Sequence, residues 1–308
     1  MSTALDRGGA NDHIAAMNAQ TQFAEPYAVA EQAAPLVRRV LARNPSPFTY
    51  TGTQTYIVGA GRDVAVIDPG PDDAEHLDAL MEAVGDARVA AILCTHTHRD
   101  HSPGAGPLAA RTGAPIIGCA PLTLDDDGPR ADASFDPTYR PDRVLADGET
   151  VCGEGWTLVA VATPGHTSNH LCFALPEAGA LFTGDHVMGW STSIVSPPDG
   201  DMTAYLESLG KLHAREQDRI YFPAHGPAVE KPRQLVRGMI GHRRQREKQI
   251  LRQIESGRHR IEDMVPHMYK GVDQRLWPAA GRSVLAHLID LERRELVTRS
   301  GEEWSLTN

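Results

Sequence analysis

The sequence has few cysteines, no long apolar segment and no recognisable leader. Its four cysteines, Cys94, Cys119, Cys152 and Cys172, lack metal-type spacing, so we expect buried free thiols in a reducing cytoplasm. Apolar runs such as Val89–Cys94 are far shorter than the roughly 20 residues that cross a bilayer, which excludes a transmembrane helix. Because no apolar stretch follows the N-terminus, we also expect no signal peptide.

Positive charge is scarce in most of the chain. The formal net charge of the 308 residues is −10, but residues 1–230 carry −16 and residues 231–308 carry +6. This asymmetry predicts two regions with different roles, or else a basic tail that simply packs on an acidic body. Aromatic residues make up only 6%, which leaves few rings on which unpaired nucleotide bases could stack.

Apolar spacing and turn residues predict alternating strands and helices through the acidic body. Two short strands flank the turn at residues 59–61 and form a hairpin, whereas Ala74–Val84 and Met202–His213 have helical spacing. The continuous apolar run Val89–Cys94 is typical of a strand buried on both faces. Residues 121–143, rich in Asp and Pro, are expected to form a long surface insertion.

Domain boundaries follow from changes in this pattern. We expect residues 1–30 to be a loosely ordered lead-in and residues 31–230 to form the main domain. From residue 231 the chain turns mostly helical and ends in a small hairpin, so residues 231–308 are expected to form a separate region.

The strongest chemical signal directly follows the predicted buried strand. His96, His98, Asp100 and His101 leave its carboxyl end, where a loop can reach a ligand without disturbing the core. A purely structural role is a poor explanation for three imidazoles and a carboxylate within six residues, because each buried histidine needs hydrogen-bond partners. This ligand set suits zinc and similar metals.

Three further strand ends carry histidine or aspartate beside glycine. They place His166, Asp185 and His225 after short apolar runs, and His186 follows Asp185 directly. Glycine at these places allows a sharp turn and a close approach of the backbone to an ion. Each motif is weak by itself, but together the four clusters predict a metal site at a sheet edge.

With these motifs the sequence resembles the metallo-β-lactamase-fold hydrolases. The family's HxHxDH motif stands at His96, His98, Asp100 and His101, and its other ligand positions match His166, Asp185 and His225. The resemblance implies an α/β fold, a four-layer αββα sandwich in which residues 31–230 form the catalytic domain and the metals lie at one edge. A smaller helical, winged-helix-like region follows at the C-terminus.

The resemblance also implies the ligands of two divalent metal ions. One ion would be held by His96, His98 and His166, the other by Asp100, His101 and His225, and Asp185 would bridge both. We expect Zn²⁺, with iron or manganese as alternatives, because sites of His and Asp accept these metals according to availability.

Roles for individual residues follow from the same resemblance. A metal-bridging hydroxide would attack the substrate, with Asp100 and Asp185 as the catalytic carboxylates. Asp68 and His170 are expected to orient the ligands through hydrogen bonds. Independently of the resemblance, Trp190 and Tyr139, together with Phe135, are expected to line an apolar pocket if the substrate is a small thioester or ester.

The outer segments resemble one subfamily, the β-lactamase-like protein 2 group. Its best-described animal members are endoribonucleases acting on single-stranded RNA, and the group ends in a winged-helix-like region. The similarity lies in residues 44–49, 199–202, 242–250 and 283–297. It favours a phosphodiesterase that cleaves single-stranded RNA, with Arg243, Arg244, Arg246 and Lys248 contacting phosphates, although the acidic body would repel a polyanion.

Two other functions stay open at this point. The chain could instead hydrolyse a small-molecule thioester or ester, like glyoxalase II, or a lactone; since Asp185 is present, β-lactam hydrolysis would be a side activity at most. In a different class, it could be a nucleic-acid-binding protein with a structural metal. No membrane partner is expected, and the sequence does not indicate an oligomeric state.

Overall fold

Two β-sheets form the centre of the computed structural model, which describes residues 26–122 and 135–307. The first sheet contains, in spatial order, β1 (Ala30–Ala34), β2 (Val37–Leu41), β3 (Gln54–Val58), β4 (Asp63–Ile67), β5 (Arg88–Cys94), β6 (Ile116–Gly118) and β7 (Arg143–Val144). The second contains β8 (Thr150–Gly153), β9 (Trp156–Ala162), β10 (Leu171–Leu175), β11 (Ala180–Gly184) and β12 (Ile220–Pro223), again in spatial order.

Strand direction changes within each sheet and determines where the loops emerge. β1 to β4 pair antiparallel, which confirms the predicted hairpin of β3 and β4, whereas β4 to β7 run parallel. In the second sheet, β9 and β11 are both antiparallel to β10, and β11 is parallel to β12. The carboxyl ends of β9, β11 and β12 therefore lie at the same edge.

Helices cover the outer faces of both sheets. They are α1 (Ala74–Val84), α2 (Ala105–Thr112), α3 (Met202–His213), α4 (Pro232–Glu255), α5 (Ile261–Met268) and α6 (Trp277–Arg293). Asp73 and Asp201 cap α1 and α3, since each side chain accepts a hydrogen bond from a backbone N–H of the first turn. Apolar side chains of α1 and α2 pack on the first sheet, and those of α3 and α4 on the second. The predicted four-layer sandwich is confirmed.

Trp156 joins the two sheets at their buried interface. Its side chain, 1% exposed, lies on β9 of the second sheet, and its indole Nε1 donates to the carbonyl of Asp63 on β4, 3.0 Å away. Gly153 leaves the space that the ring needs, because a Cβ there would lie 2.3 Å from Trp156 Cζ2.

The C-terminal helices build a separate apolar core and also pack against the sandwich. α5, α6 and the hairpin of β13 (Val297–Ser300) and β14 (Glu303–Leu306) surround Trp304 and the end of α4. This arrangement of helices and hairpin confirms the winged-helix-like region. On the side of the sandwich, the hydroxyl of Thr203 on α3 donates to the buried carboxylate of Asp290 on α6, 2.7 Å away.

Two expectations about the chain need correction. Cys152 is exposed rather than buried, because its side chain points outward from the edge strand β8, while the other three free cysteines are buried. The expected surface insertion falls partly on residues 123–134, which lie outside the described residues. After it, Asp136 and Tyr139 are buried and the chain returns to the first sheet as β7.

The expected lead-in falls mostly on residues 1–25, which lie outside the described residues. Strand β1 already begins at Ala30. Within the described residues, every helix is too short or too polar to cross a membrane. The cytoplasmic location stays a prediction.

Replacing Trp156 with alanine should destabilise the sandwich more than any surface change. The substitution removes a fully buried indole and its hydrogen bond, so we expect a loss of about 3–5 kcal/mol in the free energy of unfolding. Urea denaturation monitored by circular dichroism measures it, with Trp277→Ala, a partly exposed tryptophan of α6, as the control. A loss below about 1 kcal/mol for Trp156→Ala would contradict this account of the core.

Candidate dinuclear metal centre

The predicted metal ligands lie together at one edge of the sandwich. The loop after β5 carries His96 to His101, and the loops after β9, β11 and β12 carry His166, Asp185 and His225. Glycines permit the close packing of these loops. Gly165 has φ +136°, and a Cβ there would lie 2.3 Å from Tyr205 Cα, so no other residue fits without a backbone shift.

Three histidines and one aspartate form the first group of donor atoms. His98 Nδ1 lies 2.9 Å from His96 Nε2 and 3.2 Å from His166 Nε2. Asp185 Oδ2 lies 3.7 Å from His166 Nε2. Donor atoms of all four residues lie within 4.8 Å of one another, and all four residues are buried.

The second group lies next to the first and shares Asp185 with it. His225 Nε2 is 3.1 Å from Asp100 Oδ2 and 3.2 Å from Asp185 Oδ1, while His101 Nε2 is 3.5 Å from the same Asp185 oxygen. Asp185 therefore turns one carboxylate oxygen to each group. This is the arrangement that a carboxylate between two cations requires.

Unpartnered atoms show that the donor set fits metal ions. Within the described part of the chain, Asp100 Oδ1 is buried without a hydrogen-bond partner, and His101 Nε2 and His225 Nε2 lie 3.5 and 3.2 Å from Asp185 Oδ1 without forming a well-aligned hydrogen bond. A buried polar atom without a partner costs free energy, so such atoms are rare and need an explanation. Imidazole nitrogens and carboxylate oxygens that converge in this way are the ligands that zinc, iron and manganese accept.

The two groups differ in their electrostatics. Burial, reinforced by the neighbouring His101, holds the pKa of His96 well below its usual range, and burial with the nearby His166 lowers that of His98 to about 3. In the second group, burial alone would lower the pKa of His225, but the carboxylates of Asp185 and Asp100 outweigh it and raise the pKa to about 10. At neutral pH the first two imidazoles are therefore neutral, whereas His225 carries a proton.

Hydrogen bonds to the far nitrogen orient three of the histidine rings. His101 Nδ1 donates to Asp68 Oδ2 at 3.0 Å, and the Asp68 carboxylate also accepts from the backbone N–H and hydroxyl of Thr95. His166 Nδ1 donates to the Ile194 carbonyl at 2.6 Å, and His225 Nδ1 donates to the Gly52 carbonyl at 3.2 Å. Such partners fix the tautomer and direction of a metal-binding imidazole.

Asp68 holds its place at the cost of backbone strain. Its φ of +49° lies in the left-handed region, which residues other than glycine rarely adopt, and it lies directly beside the ligand loop. The predicted orienting role of Asp68 agrees with these contacts.

His170 and His186 lie beside the donor groups but outside both. His170 Nε2 accepts from the backbone N–H of Asp185 at 3.3 Å, so it supports the shared aspartate, in line with its predicted orienting role. His186 is fully buried and packs on Tyr205, with a centroid separation of 4.7 Å. Burial, together with His166 and Arg243, lowers its pKa to about 3.

A narrow cavity opens onto the donor groups. Its volume of about 20 Å³ holds roughly one water molecule. Its polar lining consists of His98, Asp100, His166 and Asp185, and its apolar wall consists of Phe48, Met188 and Ile194. Sequence patterns did not predict these three apolar residues as part of the site. Only Phe48 lay in a segment that they had singled out, residues 44–49, and there for its similarity to the subfamily.

Two of the three aromatic residues expected in the substrate pocket, Tyr139 and Trp190, are not among the residues that line the cavity. Tyr139 is 3% exposed, and its hydroxyl donates to the Cys119 carbonyl at 3.3 Å, so it belongs to the core rather than the cavity. The prediction for Tyr139 is wrong, because a tyrosine whose hydroxyl finds a backbone acceptor can be buried completely. Trp190 stacks on Tyr50 at 5.0 Å and packs against Gly226, behind the ligand loop rather than in the wall.

The difference in protonation predicts a pH dependence of metal binding. Since a bound imidazole must be neutral, a metal ion that enters the second group must displace the protons of both His101 and His225, whose pKa values are raised. We expect Zn²⁺ affinity there to rise with pH through neutrality toward about 10, while the first group changes less between about pH 6 and 8. Calorimetry in buffers of different ionisation enthalpy counts the protons, and equal proton release for the two ions would contradict the assignment.

Known families match the two parts of the chain separately. Residues 49–225 match the model of the metallo-beta-lactamase superfamily, and residues 261–304 match that of the beta-lactamase associated winged helix domain. A solved metallo-beta-lactamase family protein from Thermus thermophilus shares the fold with a TM-score of 0.72 at 21% identity, covering 89% of this chain and 99% of that one.

Two relatives are similar in sequence over most of the chain. A beta-lactamase-like protein 2 homolog of Drosophila melanogaster is 34% identical over 280 residues, which cover 87% of this chain and 92% of the relative. An atrochrysone carboxyl ACP thioesterase of Aspergillus fumigatus is 36% identical over 222 residues, 70% of this chain and 64% of that relative. The chain therefore belongs to the metallo-beta-lactamase superfamily and is a hydrolase with a C-terminal beta-lactamase-associated winged-helix domain.

Proposed function

We propose that this hydrolase cleaves a thioester or ester whose acyl group lies against the apolar wall of the cavity. Phe48, Met188 and Ile194 line the same cavity as the donor groups, and the cavity lining within the described residues contains no lysine or arginine. Because the cavity itself holds about one water molecule, the acyl group would contact these side chains at the mouth of the cavity rather than fill it. The proposal rests on the presence of these three apolar side chains beside the donor groups.

The residues that would hold the metal ions are those expected from the sequence. We propose that His96, His98, His166 and Asp185 hold one divalent ion, and that Asp100, His101, His225 and Asp185 hold the other. When bound, two such ions lower the pKa of water and so supply a nucleophile near neutral pH while stabilising developing negative charge. We propose Zn²⁺, with iron or manganese as alternatives, because the donor set suits all three.

The carboxylates favour a substrate with a good leaving group. Burial opposes ionisation of Asp100 and Asp185, but the surrounding histidines outweigh it and hold both pKa values well below the usual range. Neither carboxyl can therefore donate a proton to a departing group. A thiol, with a pKa of about 8.5, needs little help to leave as a thiolate, whereas the alkoxide released from RNA or from an ester does need a proton, so a thioester is favoured over both.

RNA cleavage, the function first expected from the sequence, has less support. Arg243 is 3% exposed, so the prediction that it contacts phosphates is wrong, and the Arg246 guanidinium lies 4.3 Å from the ring centroid of Tyr269. Of the basic run, Arg244 and Lys248 are the exposed members. The Aspergillus relative is named a thioesterase, which supports the thioester instead.

A binding protein with a structural metal also has less support. Structural zinc sites are closed cages of four ligands, whereas two donor groups with shared Asp185 border a cavity here. We therefore propose that the C-terminal region supports the hydrolase rather than acting as a separate binding module. We also propose that the boundary between the two regions lies between residues 230 and 231.

The proposed activity is tested with one preparation of the full chain loaded with Zn²⁺. We expect release of thiol from acyl thioesters of N-acetylcysteamine and little cleavage of single-stranded RNA. Asp185→Asn removes a charge shared by both donor groups, so hydrolysis should fall by more than about 100-fold, beyond the loss expected for a residue that only orients a ligand.

Asp86→Asn, at an exposed position just after α1, serves as the matched control and should retain full activity. RNA cleavage that depends on Asp185, with thioester turnover at background, would overturn the proposal in favour of the phosphodiesterase.

The apolar wall should determine the preferred acyl length. Phe48→Ala and Met188→Ala enlarge the cavity, so we expect kcat/KM for octanoyl relative to acetyl thioesters to rise roughly tenfold, the value of one or two well-packed methylene groups. Val144→Ala, an exposed change on β7, is the control. An unchanged ratio in both cavity variants would show that the acyl group lies elsewhere.

A further inference from the structure

We propose that Arg243, on helix α4 of the C-terminal region, is a positioning residue that holds the metal ligand His166 in place. The inference rests on the proposed metal site and is independent of the substrate. Through Arg243 the C-terminal region would help to build the metal site, although no described residue of that region lines the cavity.

Arg243 is a buried cation whose guanidinium is directed at a loop of the catalytic domain. It donates to the backbone carbonyl of Ser193, and its Cζ lies 5.1 Å from the ring centroid of Tyr205 on α3. In the described part of the chain no carboxylate lies at ion-pair distance, and Nε has no hydrogen-bond partner. Burying a guanidinium without a carboxylate is costly, so overall stability is a poor explanation for its presence.

The residue next to Ser193 connects this contact to the metal site. The carbonyl of Ile194 accepts the hydrogen bond from His166 Nδ1 at 2.6 Å. On the other side of the ring, His166 Nε2 lies 3.2 Å from His98 Nδ1, within the first donor group. Arg243 fixes one peptide of the loop, and the neighbouring residue's carbonyl fixes the direction of the ligand.

Further contacts restrain the same loop from both sides. The hydroxyls of Ser193 and Tyr205 donate to the carbonyl of His186, at 2.8 and 3.1 Å, and so tie the loop to the strand end that carries Asp185. From the C-terminal region, Arg282 Nε on α6 donates to Ser196 Oγ at 3.3 Å. The loop is thus held between α3 of the sandwich and two helices of the C-terminal region.

The test compares Co²⁺ binding by the full chain with arginine, methionine or lysine at position 243. Visible absorption during titration of the metal-free protein reports the affinity and ligand field of each donor group, without any substrate. Arg243→Met keeps most of the side-chain volume but has no donor, so we expect Co²⁺ affinity of the first group to fall about tenfold, within the range seen when ligand-orienting partners are removed.

Arg243→Lys keeps one donor and should fall between the wild type and the methionine variant. The second group, held through Asp68 and Gly52, should keep its affinity in both variants. Arg244→Met, the exposed neighbour on the same helix, is the matched control and should bind Co²⁺ like the wild type. Thermal unfolding of each metal-free variant shows whether the fold is retained.

Wild-type affinity and absorption at both groups in Arg243→Met would overturn the inference. If that variant does not fold, Arg243→Lys decides: weakened binding at the first group supports the inference, and unchanged binding contradicts it. A wild-type chain that bound no Co²⁺ would instead refute the metal site itself, so the two failures are distinguishable.

Discussion

The proposed function of this protein depends on burying carboxylate oxygens and imidazole nitrogens close together inside the sandwich, where several of these atoms make no well-aligned hydrogen bond. Asp100, Asp185, His101 and His225 all turn such atoms toward one another. In the metal-free protein, protons on His101 and His225 balance the two carboxylates, as the raised pKa values of both histidines show. Divalent ions would replace those protons with a stronger source of positive charge.

The loops that orient the ligands also shape the cavity. One loop supplies the Gly52 carbonyl to His225 and places Phe48 in the apolar wall, and another supplies the Ile194 carbonyl to His166 and its own side chain to the same wall. Metal geometry and substrate fit are therefore coupled through short stretches of backbone. The second loop contacts Arg243 and Arg282, which brings the C-terminal region into the same unit.

Sequence patterns predicted which histidines and aspartates lie together because chemistry and position agreed there. Histidines and aspartates follow short apolar strands, and parallel strands bring such ends to one edge, so His96 and Asp185 could be assigned from the motif and the resemblance. The burial of a charged or aromatic side chain could not be predicted in this way, because it depends on hydrogen-bond partners that only the tertiary structure brings near. The Arg243 guanidinium donates to the Ser193 carbonyl, 50 residues away in the sequence, and the Tyr139 hydroxyl donates to the Cys119 carbonyl, 20 residues away. No local sequence pattern indicates either contact.

The most direct test of the two-metal site is anomalous diffraction from crystals of the full chain grown with Zn²⁺, recorded on both sides of the zinc absorption edge. This account predicts two anomalous peaks about 3.5–4 Å apart, one beside His96, His98 and His166 and the other beside Asp100, His101 and His225, with Asp185 between them. A single peak, or peaks away from Asp185, would contradict it.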